Sequence, residues 1–320
     1  MVRNNIQEVL KAAKIKKLLS GEIGLALTFL AISVLFSFLS DYFFAQQNLL
    51  NITRQISINL IVAIGMTFVI LTGEIDLSVG SVAALSGVST AWVMMITNSI
   101  TLGILAGLGI GLAIGLINGL LTVYGKIQSF IVTLAMLGIA RGIALYWTSG
   151  RPISNLTEEF AIFGAGYLEK IPVSSIIAIV FFIFGFIILN KTKHGVYVLS
   201  TGANREAARL SAIPVNRYRI LVFLVSGLLS AVGGIIITSR LLSAQPTVAE
   251  GMELNVIAAV VLGGASLSGG GGSVVGTLLG AMIIGVINNG MNLTGVSAFL
   301  QEIVKGLIIL FAVLAKRNHD

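Results

Sequence analysis

The sequence contains no cysteine and only two histidines, His194 and His319. Without cysteine the chain can form no disulfide, no thiolate metal site and no thiol nucleophile. Both histidines lie in polar segments far apart in the sequence, so a histidine metal site is not expected. The phosphate-binding pattern G-x-x-x-x-G-K-[ST] is absent as well. We therefore expect no cofactor, no metal and no covalent chemistry on this chain.

Charged residues are scarce. Asp, Glu, Lys and Arg make up 10% of the 320 residues, against about 25% in soluble globular proteins, and 56% of the residues are hydrophobic. The apolar runs approach the ~20 residues that a helix needs to cross a bilayer, and the short alternating runs of an outer-membrane barrel are missing. These features predict an all-α integral membrane protein of about ten transmembrane segments, some of them short or broken.

The basic residues fall mainly into a few segments. Most of the 20 Lys and Arg residues lie in residues 1–21, at Lys126, in residues 191–219 and in residues 316–320. By the positive-inside rule these parts, and therefore both termini, face the cytoplasm. The chain then divides into a basic amphipathic segment on the inner surface (1–21), one membrane domain (22–315) and a cytoplasmic tail (316–320). The net charge of +7 is thus explained without nucleic-acid binding.

The longest polar interval is residues 191–219, which carries six basic residues and one acid. Asn204 can cap a helix, the residues after it are good helix formers, and Pro214 limits how far that helix can run. We predict one short basic helix made of Asn204, Arg205, Glu206, Ala207, Ala208, Arg209 and Leu210. A short basic helix between two long apolar segments is a place for a soluble partner to dock.

A second polar interruption, residues 72–81, places Glu74 and Asp76 between two apolar runs. Carboxylates at membrane depth are costly and tend to be functional. The favoured interpretation is that Asp76 or Ser78 caps the next helix, and the alternative is that they line a transport pathway. The glycine-dense residues 263–273 also follow a short apolar run. Two such broken segments predict a parallel internal repeat around a transport site.

Small and amide side chains characterise the remaining helices. Glycine recurs every fourth residue from Gly103 to Gly119, which predicts a helix face that packs closely on a neighbour. Asn118, Asn288 and Asn289 are candidates for lining a pathway that suits a neutral, hydroxyl-rich solute. For each single asparagine, a hydrogen bond between helices is the stronger alternative.

Three polar stretches are expected to connect helices on the outer side: residues 41–57, 148–172 and 240–253. The second is the longest, and the last contains Pro246. The last two are candidates for contact with an extracytoplasmic partner.

Three motifs together resemble a known family. They are GEIDLSVGS at residues 73–81, GANREAARLS at residues 202–211, and SAQP at residues 243–246 followed by EL and AAVVLGG, which ends at Gly264. The chain is similar over residues 45–315 to the permease subunits of bacterial ATP-binding-cassette sugar importers, in the ribose/xylose/autoinducer group. Residues 288–297 look most like the ribose members of that group.

The resemblance implies a translocation pathway for a neutral monosaccharide, such as the pentose ribose, in the bacterial inner membrane. It implies a homodimer embedded in lipid, an ATPase on a separate cytoplasmic chain and an extracytoplasmic sugar-binding protein. Residues 204–210 would then be the coupling helix that docks on the ATPase. Glu74 and Ala212 stand where the family often has glycine, and alanine adopts a positive φ less readily.

Two other functions remain open from the sequence. A related permease of the same superfamily carries branched-chain amino acids, but a zwitterion favours fixed charges or helix ends in the pathway, and few fixed charges are present. A secondary transporter or facilitator would need no ATPase. It would need ionisable relays in the membrane, and these membrane segments are poor in charge.

Overall fold

A computed structural model describes residues 21–317, which form a bundle of α-helices. The helices are α1 (Glu22–Leu39), α2 (Gln46–Leu71), α3 (Val79–Thr97), α4 (Ile100–Val123), α5 (Ser129–Thr148), α6 (Val173–Lys191), α7 (Lys193–Ala203), α8 (Arg205–Leu210), α9 (Val215–Leu241), α10 (Met252–Leu262), α11 (Val274–Leu293) and α12 (Ala298–Arg317). The basic segment predicted for residues 1–21, apart from Gly21, and residues 318–320 of the tail lie outside the described residues.

Eight of these helices are long and apolar enough to cross a membrane: α1 to α6, α9 and α11. The helix α10 has only 11 residues, and α12 has 20 residues with a charged pair, Glu302 and Lys305, in its first half. The eight spanning helices together with α10 and α12 correspond to the predicted set of about ten membrane segments. The all-α, multi-pass membrane architecture is confirmed.

The bundle has two distinct ends, joined by α6. The basic end carries α7 and α8, which follow the last residue of α6. The far end carries the segment before α6, with a 3-10 helix (Glu158–Phe163) and a small hairpin of β1 (Tyr167–Leu168) and β2 (Ile171–Pro172). There, Ile153 and Ala244 exchange two backbone hydrogen bonds of 3.0 and 2.9 Å. The two long connectors predicted for one side therefore touch.

The prediction that residues 41–57 form a connector is wrong, because α2 begins within this stretch and runs for 26 residues. Its polar side chains find partners on other helices instead of marking a loop. The amides of Asn48 and Asn289 bond to each other, and the Ser57 hydroxyl lies 3.0 Å from that of Ser175. Since these groups are satisfied, the backbone can remain helical through polar sequence.

The basic stretch 191–219 contains more helix than predicted. The helix α7 starts just after Thr192, whose hydroxyl accepts a hydrogen bond from the His194 amide N–H. The predicted short helix is present as α8, separated from α7 by Asn204 alone. The next helix, α9, starts at Val215, five residues before the apolar run that suggested it.

The glycine face of α4 packs on α9, as the spacing predicts. A side chain at Gly111 would clash with the carbonyl of Gly227, and one at Gly115 would clash with that of Phe223. Closer to the far end, Gly107 lies against Thr90 of α3. Small residues therefore bring three helix backbones together, in the manner of lipid-embedded bundles.

The segment between α9 and α10 does not stay at the far end. The Arg141 guanidinium of α5 donates hydrogen bonds to the carbonyls of Pro246 (2.6 Å) and Val248 (2.8 Å). Further along, the carbonyl of Ala249 presses on Gly80 in the first turn of α3. Since α3 starts from the basic end, residues 240–253 fold back between the helices, and α10 begins inside the bundle.

Candidate transport and coupling site

The interruption at residues 72–78 is a defined helix ending. Thr72 is the C-cap of α2, and Gly73 adopts a positive φ of 73°. The Gly73 N–H donates to the Ile70 carbonyl at 2.9 Å, and the Glu74 N–H donates to the Val69 carbonyl at 3.2 Å. This pair of bonds is a Schellman motif, in which glycine takes the left-handed position. It turns the chain so that residues 74–78 cross the bundle before α3 begins.

Asp76 organises the start of α3. Its side chain is buried, and Oδ1 accepts hydrogen bonds from the Ser78 N–H (3.0 Å) and the Ser78 hydroxyl (2.6 Å). Its other oxygen accepts from the Ser226 hydroxyl of α9 at 2.8 Å. Asp76 thus satisfies the backbone just before the helix, while the Ser78 side chain makes no capping bond of its own. Asp76 therefore orients the N-cap residue, whereas among the described contacts neither side chain makes the predicted capping bond to an N–H group of the helix itself.

Asn118 of α4 joins the same cluster. Its amide nitrogen donates to the Ser78 hydroxyl at 3.0 Å, which places Asp76, Ser78 and Asn118 together as a buried polar group. The amide oxygen of Asn118 and the hydroxyl of Thr122, one turn later, are buried without a hydrogen-bond partner in the described part of the chain. Buried polar atoms are normally paired, so these two are available to accept a bond from a solute.

Asn288 and Asn289 lie on α11, apart from this cluster, and their settings differ. The amides of Asn289 and Asn48 donate to each other's oxygens at 2.8 and 3.0 Å, which is the interhelical bond considered as the alternative. Asn288 approaches Asn255 at 3.5 Å, and its amide oxygen is buried without a partner in residues 21–317. Of the two, Asn288 keeps an open acceptor.

The second interruption, after α10, repeats the geometry of the first. Gly264 has a φ of 92°, its N–H donates to the Val261 carbonyl, and the Ala265 N–H donates to the Val260 carbonyl. These are the same two bonds as at Gly73. The two interruptions also touch, because the Gly270 N–H donates to the Leu71 carbonyl at 2.9 Å. Both interruptions therefore begin with the same type of helix ending and lie in contact, and the internal repeat stays a prediction.

The helix α8 projects from the basic end. Asn204 is its N-cap, and its side-chain oxygen accepts from the Ala207 N–H at 2.9 Å, as predicted. Ala208 faces the bundle and is buried, whereas Leu210 is 79% exposed. Glu206 and Arg209 form an exposed pair at 2.7 Å, and this hydrogen bond raises the pKa of Arg209.

Ala212 follows α8 in a left-handed conformation with a φ of 60°. Its N–H donates to the Arg209 carbonyl and the Ile213 N–H donates to the Ala208 carbonyl, both within 3.1 Å. This is again a Schellman ending, but with alanine in the position that glycine prefers. The turn therefore keeps the geometry that a glycine would give, at the steric cost of a Cβ atom.

Glu74 has the site contacts that the sequence did not reveal. Its side chain is 5% exposed, and Oε1 lies 2.7 Å from Nη2 of Arg205 and 2.7 Å from Nη2 of Arg219. Arg205 is the first residue of α8, and Arg219 belongs to the first turns of α9. The excess of basic residues in 191–219 was the only signal, and it did not say where their partner lay.

A cavity of about 510 Å³ opens beside this ion cluster. Glu74, Arg205, Arg219, Thr122 and Lys126 are among its lining residues, so it extends from α8 to within one turn of Asn118. Lys126 is exposed and makes no hydrogen bond or ion pair with any described residue. Within residues 21–317, no group of three or more acidic, cysteine or histidine side chains is placed to hold a metal ion.

The family model described as "Branched-chain amino acid transport system / permease component" matches residues 48–313. The ribose import permease protein of Bacillus subtilis is 47% identical over 301 residues, which covers 93% of this chain and 94% of the relative. That of Haemophilus influenzae is 48% identical over 295 residues, 90% of this chain and 91% of the relative.

A third relative, the L-arabinose transport system permease protein of Escherichia coli, is 42% identical over 270 residues, 84% of this chain and 82% of the relative. No solved structure matches significantly. The relatives are named as transport permeases and not as enzymes. From the extent of these matches, the chain belongs to the branched-chain amino acid transport system/permease component family, the membrane permeases of ATP-binding-cassette importers.

Proposed function

We propose that this chain is the permease of an ATP-driven importer for ribose or a closely similar pentose. The observation that carries the coupling part is α8, a short capped helix whose exposed tip, Leu210, projects from the basic end while its first residue is tied to the α2–α3 interruption. A separate ATPase would bind this helix and supply the energy, so no ATP hydrolysis takes place on this chain.

The solute pathway follows from the buried polar groups. Asp76, Ser78 and Asn118 form a network in which the carboxylate already accepts three hydrogen bonds, and the unpaired oxygens of Asn118, Thr122 and Asn288 can accept bonds from hydroxyl groups. A sugar offers several hydroxyl donors and no charge. Unpaired acceptors spaced along the helices pass such a solute on without binding it tightly.

The name of the family raises the alternative of a branched-chain amino acid. Two relatives that match nine-tenths of this chain at 47% and 48% identity are named for ribose, and one that matches 84% of it is named for L-arabinose. A zwitterion would need a cation and an anion facing the solute, whereas the Asp76 carboxylate is occupied by three hydrogen bonds. Both observations favour a sugar.

The remaining partners are proposed from the placement of the segments. The basic end, with both termini, would face the cytoplasm of the bacterial inner membrane. A sugar-binding protein would dock on the far end, on residues 148–172 and the outer part of 240–253, which the Ile153–Ala244 pairing holds together. A second copy of the chain would complete the pathway, with lipid around the exposed apolar helix faces.

The first experiment is co-purification in mild detergent of the tagged chain, co-expressed with its genomic neighbours, followed by mass spectrometry. Recovery of an ATPase and of a binding protein that holds ribose is the expected result. Glu206→Lys reverses the charge of the only acid on α8 and should detach the ATPase while the membrane bundle still folds. Normal ATPase recovery together with normal ribose uptake in that variant would contradict the proposal.

A secondary transporter predicts a different outcome of the same experiment. The chain would be recovered alone, and ribose uptake into cells would survive ATP depletion but stop with a proton uncoupler. A sugar-binding protein loaded with an amino acid would instead support the branched-chain alternative.

A further inference from the structure

The Glu74 cluster has an uneven construction. Both guanidinium groups reach the same carboxylate oxygen, at equal distances of 2.7 Å. The Arg219 side chain is only 15% exposed, whereas that of Arg205 is 47% exposed. Water therefore competes for one of the two ion pairs much more than for the other. The less exposed pair, with Arg219, is the inner pair and holds the carboxylate in place. The more exposed pair, with Arg205, is the outer pair and is the one that can open.

The outer pair links two elements with different roles. Arg205 begins α8, and the same Nη2 atom also lies 3.3 Å from the carbonyl of Thr72, the C-cap residue of α2. The side chain of one arginine thus contacts both the backbone and the carboxylate of the interruption. Any displacement of α8 away from the bundle must break these contacts or carry residues 72–74 with it.

If residues 72–74 move with α8, close backbone packing requires that they move as a rigid unit. Gly202, at the end of α7, lies so close to the carbonyl of Leu71 that a Cβ atom there would clash. A Cβ atom on Gly269 of the second interruption would likewise clash with Gly202 and with the backbone nitrogen of Gly73. Contacts made by glycine backbones cannot deform by side-chain rotation, so they transmit displacement directly.

Glu74 is only two residues from Asp76, which belongs to the buried polar group with Ser78 and Asn118. Asp76 holds Ser78 at the start of α3 and Ser226 in α9, and Ser78 holds Asn118. A shift of residues 72–74 therefore moves a carboxylate that is bonded to Ser78, at the start of α3, and to α9, and through Ser78 it also reaches Asn118 of α4. This is a continuous path from α8 to the proposed solute-contacting groups.

We infer that Glu74 is a positioning residue. Through its ion pair with Arg205 it couples α8, the proposed docking helix, to the proposed solute pathway around Asp76. When the ATPase pulls on α8, the pair carries the movement to residues 72–76, and Arg219 keeps the carboxylate oriented for the pair to form again. The inference rests on the proposed function, because it needs an ATPase on α8. Glu74 does not contact the solute and is not required for docking.

The test uses the complete importer, permease with ATPase and binding protein, reconstituted in proteoliposomes. Ribose uptake and ATP hydrolysis are measured on the same sample, with Glu74→Gln, which keeps the size of the side chain but removes its charge. The number of sugars transported per ATP should fall by about fivefold or more, the lower end of typical coupling between sites. Glu74→Asp, which retains the charge, should lose less.

Lys126→Gln is the matched control, because it removes an unpaired cation from the wall of the same cavity. Its transport ratio should equal that of the wild type. Co-purification of the ATPase should be unchanged in all three variants. If the wild-type chain recruits no ATPase, the proposed function fails; if it does and Glu74→Gln transports with the wild-type ratio, only the present inference fails.

Two further outcomes are decisive. If Glu74→Gln loses uptake and ATPase recovery in proportion, Glu74 supports docking and the inference is overturned. If Glu74→Gln does not fold, Arg205→Gln takes its place, since it removes the exposed pair together with the contact to Thr72 and leaves the carboxylate bonded to Arg219. A wild-type transport ratio in a folded Arg205→Gln complex would likewise overturn the inference.

Discussion

The amides of Asn48 and Asn289 lie 241 positions apart in the chain and bond to each other twice, each donating from its nitrogen to the other's oxygen, at 3.0 and 2.8 Å. The pair joins α2 to α11 in the interior of the bundle, where both residues are buried. Both amide nitrogens donate to the partner's amide oxygen, so both nitrogens and both oxygens of the pair are hydrogen-bonded. The arrangement is that of a structural contact between helices.

Asn289→Ala should therefore lower stability without changing transport. It leaves the Asn48 amide buried with one partner fewer, a loss of about 1 kcal/mol in the free energy of unfolding for an intramembrane hydrogen bond. The double variant with Asn48→Ala should cost less than the sum of the single variants, because both partners are then absent. Thermal unfolding in detergent measures the loss, with the exposed Asn190→Ala as control. Loss of uptake at unchanged stability would instead assign Asn289 to the pathway.

Thr122→Val separates a structural from a pathway role for a hydroxyl without a partner. Removing a buried, unpaired hydroxyl should not reduce stability and can raise it by about 1 kcal/mol. If the hydroxyl accepts a bond from the sugar, uptake should fall several-fold in the same variant. Kinetic uptake assays in proteoliposomes, paired with thermal unfolding, give both values.

The control for this prediction is Thr67→Val, in which the hydroxyl lies 2.7 Å from that of Thr277 and also donates to the Ala63 carbonyl. This variant should lose about 1 kcal/mol of stability, because it removes a hydroxyl that is bonded to two partners, and the Thr277 hydroxyl keeps only its bond to the Ser273 carbonyl. Wild-type uptake by Thr122→Val would show that the hydroxyl does not meet the solute.

Ala212→Gly should stabilise the end of α8. Alanine at a φ of 60° carries a steric cost of roughly 1 kcal/mol that glycine does not. The same change one turn earlier, Ala207→Gly, lies within the helix and should destabilise it by a similar amount. Hydrogen exchange of the α8 amides should slow in the first variant and accelerate in the second. Equal effects in both would show that the left-handed turn carries no strain.

Leu210→Ser should weaken binding of the ATPase. A large apolar side chain that is 79% exposed on a polar helix is suited to fill a pocket on a partner, and loss of such an anchor reduces affinity by about tenfold or more. Leu168→Ser alters a comparably exposed leucine, 65% exposed, on the far-end hairpin and is the control. The permease–ATPase dissociation constant in detergent is the measurement. An unchanged constant for Leu210→Ser would place the docking contact elsewhere.

Much of α8 could be predicted from local sequence, and much of its anchoring could not. The Asn204 cap, the extent of α8 and the glycine face of α4 depend on residues near one another in the chain, and each was predicted. The contact of Glu74 with Arg205 joins positions 131 residues apart. No periodicity or motif records such a distance, so the pairing required the folded bundle.

The error at residues 41–57 has a related cause. Asn48 and Ser57 made this stretch look like a connector, because polarity in a membrane protein is normally found at the surface. Their partners, Asn289 and Ser175, come from helices that the local sequence does not reveal. A polar residue in an apolar chain therefore indicates either a loop or a hydrogen bond between two helices. Only the position of the neighbouring helix decides between the two.

The contact between the Gly270 N–H and the Leu71 carbonyl has a practical consequence for building hybrid transporters. The two interruptions meet through backbone atoms, and glycines 202 and 269 leave no side chains between them that could absorb a mismatch. Exchanging one interruption with that of a relative would bring together loops from different origins with no freedom to adapt. The two loops form a single module, and a functional chimera must inherit both from the same parent.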